Sequence, residues 1–260
     1  MSVENVFSIH GQRVLIIGGT AGIGLGVARH FVEAGARVVI TGRRLTGESI
    51  ATGIGSRFVR LDLIDGDSIT SGIREAAKIL DGGFDTLILN AGIATPAGTA
   101  DQLDMAVLRQ VFEVNLFGIA QAMRDGLGFM QSGSSVIVTS SPASTELTPG
   151  AGAYGASKAA VDALVKTAAL ELGLSGIRIN AVLPGVIETE MAADPEALQE
   201  ELALLSTLTA TGKIRQPSEM APPFQFLASA ASATCTGTLL ACDDGVSAGY
   251  SQPLLEKAFG

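Results

Sequence analysis

The sequence predicts an α/β fold in which one parallel sheet is covered by helices on both faces. Short apolar runs rich in β-branched residues alternate along all 260 residues with segments whose apolar positions recur at helical spacing. Strands that alternate with helices in this way pair in parallel and are buried on both sides. Because no internal repeat or linker interrupts the pattern, we expect residues 1–260 to form one domain.

The predicted strands and helices follow one another in a regular order. The strands are 13–17, 37–41, 57–61, 84–89, 136–139, 177–182 and 237–242. The helices are one from Ile23 to a stop at Gly35, then 65–80, 101–130, 152–174 and one that begins at Pro217. Hydrophobic residues make up 47% of the chain and aromatic residues only 5%, so we expect a sizeable and mainly aliphatic core.

The composition argues against several classes of partner. A net charge of −9 disfavours binding to nucleic acid or to an anionic membrane. No apolar run reaches transmembrane length, and the first ten residues lack a secretory signal pattern. The two cysteines, Cys235 and Cys242, have no metal-like spacing partners, so we expect no metal site and a reducing, cytoplasmic location.

A glycine-rich turn joins the first predicted strand to the first helix. Residues 18–24 read Gly-Gly-Thr-Ala-Gly-Ile-Gly. The first glycine allows a tight turn, and the last two let the helix begin close to the strand, so that its first N–H groups can hold a pyrophosphate. Inside a strand–turn–helix–strand unit this pattern predicts dinucleotide binding. The expected contacts are Gly18, Thr20, Gly22, Ile23 and Gly24.

The stretch from Ser141 to Lys158 carries the strongest candidates for catalysis. Tyr154 and Lys158 are four residues apart and so lie on one face of a helix. A free phenol has a pKa of about 10, but a neighbouring ammonium favours the phenolate, and a shift of about three units takes roughly 4 kcal/mol. Such a tyrosine exchanges protons near pH 7. Ser141 ends a buried strand, where its hydroxyl points into the crevice in which open α/β sheets bind ligands.

Together with the glycine-rich turn, Ser141, Tyr154 and Lys158 resemble the serine, tyrosine and lysine of the short-chain dehydrogenase/reductase family. The resemblance runs from Val14 to Gly245, through six motifs in the same order. It implies a Rossmann-like, doubly wound sheet of seven parallel strands in the order 3-2-1-4-5-6-7. It also implies hydride transfer between nicotinamide and a carbinol carbon, with Tyr154 as the acid and base.

Other residues take roles that the resemblance implies. Asn115 matches the asparagine that completes the proton relay through a water. The alternative is a core asparagine that kinks the helix. In either role a buried amide needs a hydrogen-bond partner. Asp62 matches the carboxylate that contacts adenine, and the alternative is a turn or cap residue. The remaining implied cofactor contacts are Leu63, Asn90, Ala91, Gly92, Tyr154, Lys158, Pro184, Gly185, Ile187 and Thr189.

The choice of cofactor follows from the residues after the second strand. An enzyme that prefers NAD needs an acidic residue there to bind the ribose hydroxyls. This chain has Gly42 at that position, followed by Arg43 and Arg44, whose guanidinium groups can pair with a 2′-phosphate. We therefore predict NADP(H). NAD(H) is the alternative, because Ala21 stands where some NADP enzymes carry a second basic residue and because surface arginines are often merely solvated.

Residues 190–212 are predicted to form a substrate lid. From Arg178 to Lys213 no lysine or arginine intervenes, whereas acidic residues and leucines are frequent. An acidic lid repels anions, and its apolar face can close over a hydrophobic pocket. We therefore expect a neutral, hydrophobic ketone or secondary alcohol as substrate, with a 3-oxoacyl thioester as the alternative. The other interpretation is that the leucines pack on a neighbouring helix and the carboxylates face water.

Three residues depart from the family pattern. Ile17 stands where a threonine is usual, which puts a hydrogen bond of the turn in doubt, and Asp244 replaces a glycine in the last turn. Pro142 directly follows Ser141 and favours an extended conformation for it. All four candidate catalytic positions are filled, so we disfavour a cofactor-binding regulator without turnover. A lyase or epimerase is disfavoured because such relatives generally carry longer C-terminal regions.

The sequence also predicts self-association. The helices 101–130 and 152–174 carry apolar and small residues on more than one face, which a single contact with the sheet does not explain. Enzymes of the resembled family pair through these helices, so the resemblance implies a homotetramer with twofold interfaces.

Overall fold

Within residues 6–188 and 202–259, which this computed structural model describes, seven parallel strands form one sheet. The strands are β1 (Arg13–Ile17), β2 (Arg37–Gly42), β3 (Arg57–Arg60), β4 (Phe84–Leu89), β5 (Met130–Thr139), β6 (Arg178–Pro184) and β7 (Leu239–Cys242). Their order across the sheet is β3-β2-β1-β4-β5-β6-β7. The predicted fold class and strand order are therefore confirmed.

Helices fill most of the connections between the strands. They are α1 (Gly22–Glu33), α2 (Gly47–Ile54), α3 (Gly66–Ile79), α4 (Met105–Phe112), α5 (Ile119–Leu127), α6 (Gly152–Leu172), α7 (Ala221–Ala228) and α8 (Gln252–Phe259). Helices α2 and α8 are absent from the predicted elements, and a 3₁₀ turn at Pro217–Met220 precedes α7. None of the described helices is long and apolar enough to cross a membrane.

The helix predicted over 101–130 is shorter and less regular than expected. It begins only after Asp104, whose Oδ1 accepts hydrogen bonds from the N–H groups of Ala106 (2.8 Å) and Val107 (3.2 Å). The segment Glu113–Gly118, which joins α4 to α5, is a π-helix. Hydrophobic periodicity does not distinguish one widened turn from a regular α-helix, so the sequence pattern did not reveal it.

The core lies in two layers, one on each face of the sheet. In β1, Leu15 faces the layer that packs against α3, α5 and α6, whereas Ile16 faces the layer that packs against α1 and α7. Most buried side chains in both layers are aliphatic, and the largest aromatic ones are Phe31, Phe84 and Phe224. Burial on both faces explains why the strands are nearly continuous apolar runs.

The strand order reverses between β1 and β4. Strands β2 and β3 extend the sheet on one side of β1, while β4 to β7 extend it on the other. The connections on the two sides therefore diverge and leave a crevice beyond the carboxyl ends of the central strands. The candidate site lies at this edge.

Candidate active site

Ser141 stands just beyond the carboxyl end of β5. Its backbone is extended (φ −161°, ψ 149°), as expected for a residue before proline, and it caps the 3₁₀ turn Pro142–Ser144. The Ser141 Oγ accepts a hydrogen bond from the N–H of Ala143 at 3.2 Å. Because that bond uses the oxygen only as an acceptor, the hydroxyl proton is left for a group in the crevice.

Lys158 lies one turn beyond Tyr154 on α6 and is buried. Its Nζ donates a hydrogen bond to the carbonyl of Thr139, the last residue of β5, at 2.8 Å. The same Nζ is 5.6 Å from the centroid of the Tyr154 ring. Burial lowers the pKa of Lys158 to about 8, although the carboxylate of Asp162 acts in the opposite direction.

The electrostatics of Tyr154 differ from the expectation that Lys158 favours the phenolate. Burial raises the pKa of the Tyr154 phenol, and hydrogen bonding with Ser141 lowers it only in part. The direction of the pKa shift of Tyr154 is therefore opposite to the prediction, because burial outweighs the hydrogen bond. Tyr154 keeps its proton at neutral pH, which is the state required of a group that protonates a carbonyl oxygen.

Asn115 occupies the π-helical segment and is completely buried. Its Oδ1 accepts from the N–H of Ile93 at 2.8 Å, and its Nδ2 donates to the carbonyl of Ile93 at 2.8 Å and to Ser157 Oγ at 3.0 Å. The expected partners of this buried amide are thus present. A methyl group on Gly92 would lie 3.3 Å from Asn115 Oδ1 and 3.5 Å from Lys158 Nζ, so the backbone at Gly92 is packed between them.

The glycine-rich turn forms a close-packed cradle between β1 and α1. Gly18 has a φ of +83°, and a methyl group there would lie 2.7 Å from Ala91. A methyl group on Gly24 would lie 2.6 Å from Asn90 Nδ2, which itself donates to the carbonyl of Gly18 at 2.9 Å. Asn90 also accepts from Thr139 Oγ1 at 3.0 Å. It therefore ties the turn to the end of β5, beside Lys158.

Comparison with known proteins agrees with this geometry. The sequence model of a family described as enoyl-(acyl carrier protein) reductase matches residues 18–247. A crystal structure of a short-chain type dehydrogenase/reductase from Mycobacterium marinum superposes with a TM-score of 0.88 at 28% identity, over 95% of this chain and 100% of the other. The chain belongs to the short-chain dehydrogenase/reductase family.

Curated members of the family are similar over nearly their whole length. Cis-4-hydroxycyclohexanecarboxylate dehydrogenase of Sinomonas cyclohexanicum is 36% identical, over 91% of this chain and 97% of that one. NADP-dependent (R)-specific alcohol dehydrogenase of Lentilactobacillus kefiri is 37% identical, over 92% and 98%. Galactitol 2-dehydrogenase (L-tagatose-forming) of Cereibacter sphaeroides is 32% identical, over 94% and 98%. This family member is accordingly an oxidoreductase that acts on CH–OH donors.

The cradle fits the dinucleotide that the family uses. Helix α1 begins at Gly22, and the preceding Ala21 has no side-chain acceptor that could cap the first N–H groups. These amides therefore lie open to an acceptor such as a pyrophosphate oxygen. Thr20 and Ile23 flank these N–H groups. Position 42 has to be glycine for Thr20 to pack against it, because a methyl group on Gly42 would lie 2.7 Å from Thr20 Oγ1.

The end of β2 is basic, as the sequence predicts. Arg43 and Arg44 are both exposed. A third arginine, Arg60, lies beside them: it is the register partner of Gly42 across β2 and β3, and its Nε donates to the carbonyl of Arg43 at 3.2 Å. Sequence reasoning missed Arg60, although its place at the end of the third predicted strand was a usable signal.

Asp62 behaves in this structure as the turn residue of the alternative interpretation. Its Oδ1 accepts from the N–H of Ile64 at 3.3 Å, and its own N–H donates to Ser68 Oγ at 3.1 Å. Its carboxylate is only partly buried, so a contact with adenine stays a prediction. The Leu63 side chain belongs to the core, which leaves only its backbone for the cofactor.

The residues that follow β6 border the same crevice. Pro184 ends β6, and the N–H of Gly185 donates to the carbonyl of Cys242 at 3.2 Å. Ile187 forms an isolated parallel bridge with Arg215. Thr189 and the lid residues 190–201 lie outside the described part of the chain, so their predicted roles stay predictions; 202–212 are described.

Strand β2 supplies a hydrogen bond to the glycine-rich turn, in which Ile17 replaces the usual threonine. The N–H of Gly18 donates to Thr41 Oγ1 at 3.3 Å, and the N–H of Gly19 donates to the carbonyl of Thr41 at 3.1 Å. Thr41 is buried at the end of β2. A threonine on the neighbouring strand therefore supplies a side-chain acceptor to the turn, which the sequence around Ile17 did not indicate.

Proposed function

We propose that this enzyme transfers hydride between NADP(H) and a neutral, hydrophobic ketone or secondary alcohol. One observation carries the proposal: Ser141, Tyr154 and Lys158 meet at the carboxyl end of β5, where Asn90 links them to the glycine cradle. When bound, the nicotinamide supplies or accepts the hydride. The side chains then have to bind, orient and protonate the oxygen of the substrate.

In the proposed mechanism each side chain has one task. The Ser141 hydroxyl donates a hydrogen bond to the substrate oxygen, since its Oγ already accepts from a backbone N–H. Tyr154, protonated at neutral pH, gives its proton to that oxygen during reduction. Lys158 lies beside the ring and stabilises the phenolate that results. Asn115 holds the backbone of Ile93 beside Lys158 and, in the proposed relay, orients the water that returns the proton.

We expect kcat/KM with NADPH to exceed that with NADH. Arg43 and Arg44, with Arg60 beside them, can pair with a 2′-phosphate, and the similar Lentilactobacillus kefiri enzyme is named as NADP-dependent. Removing both side chains in the double variant Arg43→Ala, Arg44→Ala should lower kcat/KM for NADPH by about 10- to 100-fold, which corresponds to about 1.5–3 kcal/mol in total, the energy of one charged hydrogen bond. The value for NADH should change little.

A matched control for the cofactor test is Arg57→Ala. Arg57 is also exposed but begins β3, where it pairs with Val39, three positions before Gly42. Its loss should leave both cofactors unaffected. A wild-type kcat/KM for NADH above that for NADPH contradicts the proposed preference and favours an NAD(H)-dependent dehydrogenase.

We expect neutral substrates to react faster than their anionic analogues. Among the described lid residues Leu205 and Leu208 are half-buried while Leu204 is 50% exposed, and Glu188 is exposed at the start of the acidic stretch. The name of the Sinomonas relative supports a cyclic substrate body, but that substrate is a carboxylate. A screen of ketones in matched pairs, each a neutral compound and its carboxylate, should show a higher kcat/KM for the neutral member. Faster turnover of the carboxylates across several pairs refutes this proposal.

A reductase of 3-oxoacyl thioesters is the second candidate. The description of the matching family model, which names the acyl carrier protein, favours it. The charge of the chain opposes it, because a protein with a net charge of −9 repels an acidic carrier. Adding acyl-carrier-protein and coenzyme A thioesters to the same screen separates the two candidates.

We also propose a homotetramer. On α6 and just beyond it, Leu170 and Leu174 are 85% and 104% exposed, and Phe117 in the π-helical segment is 56% exposed. Light scattering at micromolar concentration should give about four times the chain mass of 26.5 kDa. Leu170→Glu should reduce that mass, whereas Leu45→Glu, at another exposed leucine (76%) after β2, should not. A wild-type monomer contradicts the proposal.

A cytoplasmic location is part of the proposed function. Cys235 and Cys242 are both free thiols, as expected in a reducing compartment.

A further inference from the structure

Asp244 has a backbone conformation that non-glycine residues rarely adopt. Of the non-glycine residues that the structure describes, only Asp81 and Asp244 have a positive φ, at 54° and 53°. Glycine adopts this region freely, whereas a residue with a Cβ is held there by its surroundings. The side chain of Asp244 therefore needs contacts that maintain this conformation.

Those contacts come from the stretch 210–215. Arg215 donates two parallel hydrogen bonds to the Asp244 carboxylate, from Nε to Oδ2 at 2.8 Å and from Nη2 to Oδ1 at 2.7 Å. Thr211 Oγ1 donates to the same Oδ1 at 2.9 Å, and the N–H of Ala210 donates to the Asp244 carbonyl at 2.8 Å. The side chains of the pair are 29% and 13% exposed, so solvent screens them only in part.

The main chain of Arg215 holds a different part of the molecule. Its N–H donates to the carbonyl of Val186 at 3.0 Å, and its carbonyl accepts from the N–H of Glu188 at 2.9 Å. The side chain of the next residue, Gln216, donates to the Glu188 carboxylate. Arg215 thus pairs like a strand with residues 186–188. Its guanidinium is fixed to the loop after β7 and also donates from Nη1 to Glu219 Oε1 at 3.0 Å.

Residues 186–188 border the candidate site. They continue from β6, which is paired with β5, and Ser141 follows β5 at the same edge of the sheet. The N–H of the preceding residue, Gly185, donates to the carbonyl of Cys242 on the β7 side of β6. Arg215 pairs with residues 186–188 themselves. A shift of Arg215 would therefore move a segment that lies at the same edge of the sheet as Ser141.

We propose that the Arg215–Asp244 ion pair is a positioning device that holds residues 186–188 against the nicotinamide half of the cofactor. The inference rests on the proposed function, which places the nicotinamide beside Ser141 and Tyr154. It explains why an aspartate occupies a left-handed position: the carboxylate anchors Arg215, which glycine cannot do. Neither residue touches the reacting atoms.

The test uses Asp244→Asn, because asparagine tolerates a positive φ and keeps the size of the side chain but loses its charge. Asp81→Asn is the matched control. Asp81 also has a positive φ and an ion pair, with Arg37 at 2.6 Å, although that pair is more exposed. Asp81 precedes β4 and so lies at the opposite edge of the sheet. Thermal unfolding of both variants shows whether each remains folded.

Two ligands separate positioning from general destabilisation. NADPH carries the nicotinamide half, and 2′,5′-ADP lacks it; the first is titrated by its own fluorescence and the second by calorimetry. Asp244→Asn should weaken NADPH binding about tenfold, the size expected for loss of a charged hydrogen-bonded anchor. It should also reduce the rise of NADPH fluorescence on binding, and leave the affinity for 2′,5′-ADP within about twofold. Asp81→Asn should leave both affinities unchanged.

Other results would contradict either the positioning role of the ion pair or the proposed place of the nicotinamide. Unchanged NADPH affinity and fluorescence in Asp244→Asn, or an equal loss for both ligands, refutes the positioning role. If the wild-type protein binds 2′,5′-ADP but gives no change in NADPH fluorescence, the proposed place of the nicotinamide is wrong, and the inference falls with it. Because that result is obtained with the wild-type protein alone, it is distinguished from a result that contradicts only the role of the ion pair.

Discussion

Tyr154→Phe is expected to lower kcat by about a thousandfold while the protein stays folded and binds its cofactor. General acid–base catalysis contributes about 10²–10⁴ in rate, and this substitution removes only the hydroxyl that transfers the proton. The ring remains and still fills its partly buried place beside Lys158, 5.6 Å from Nζ. The measurements are steady-state turnover of a ketone with NADPH and the Kd for NADPH, which should change by less than about threefold.

The matched control is Tyr250→Phe. The chain has two tyrosines, and Tyr250 is 85% exposed in the segment before α8. It should retain full activity. If Tyr154→Phe kept more than about a tenth of the wild-type kcat, the loss would be too small for an acid–base role.

Lys158→Met is expected to abolish most turnover and yet to stabilise the fold at pH 7. Burial lowers the pKa of Lys158 from 10.5 to about 8, so the folded protein holds this charge at a cost of about 3 kcal/mol relative to the unfolded chain. Methionine fills a similar volume without charge, but it loses the charged hydrogen bond to Thr139, worth about 1.5–3 kcal/mol. The net gain at pH 7 should therefore be small, at most about 1.5 kcal/mol.

The difference in stability between the wild type and Lys158→Met should depend on pH in a defined direction. The folded-state pKa lies below the unfolded value, so the cost is fully present below pH 8. Between about 8 and 10.5 the unfolded chain binds more protons than the folded one, and wild-type stability should therefore rise with pH through this window relative to the variant. Denaturant unfolding of both proteins at pH 7 and pH 10 measures it.

Lys166→Met is the control for this second experiment. Lys166 lies on the same helix but is exposed, so its replacement should change neither turnover nor the pH dependence of stability. A Lys158→Met protein that is less stable than the wild type at pH 7 would show that the contacts of the ammonium outweigh its burial.

The order of strands and helices and the place of the glycine turn could be predicted because they depend on local pattern. The missed helix α2 has only eight residues, two of which are glycines, so its periodicity is short; Gly47 is needed because Phe58 packs against it. The π-helical turn around Asn115 also escaped prediction, because a fully buried stripe looks the same with or without one extra residue in a turn.

The sequence by itself determined the fold class, the family and the four candidate catalytic positions, because periodicity, glycine spacing and a fixed i, i+4 relation are properties of neighbouring residues. Only the tertiary structure decided the burial of those residues and their long-range hydrogen bonds. The Thr41 hydroxyl, on another strand, accepts a hydrogen bond from Gly18, and the Asp244 carboxylate accepts from Arg215, 29 positions away in the sequence. Burial raises the pKa of Tyr154, whereas the spacing alone suggested that Lys158 lowers it. Desolvation and long-range hydrogen bonds depend on which segments the fold brings together, and no local pattern encodes them.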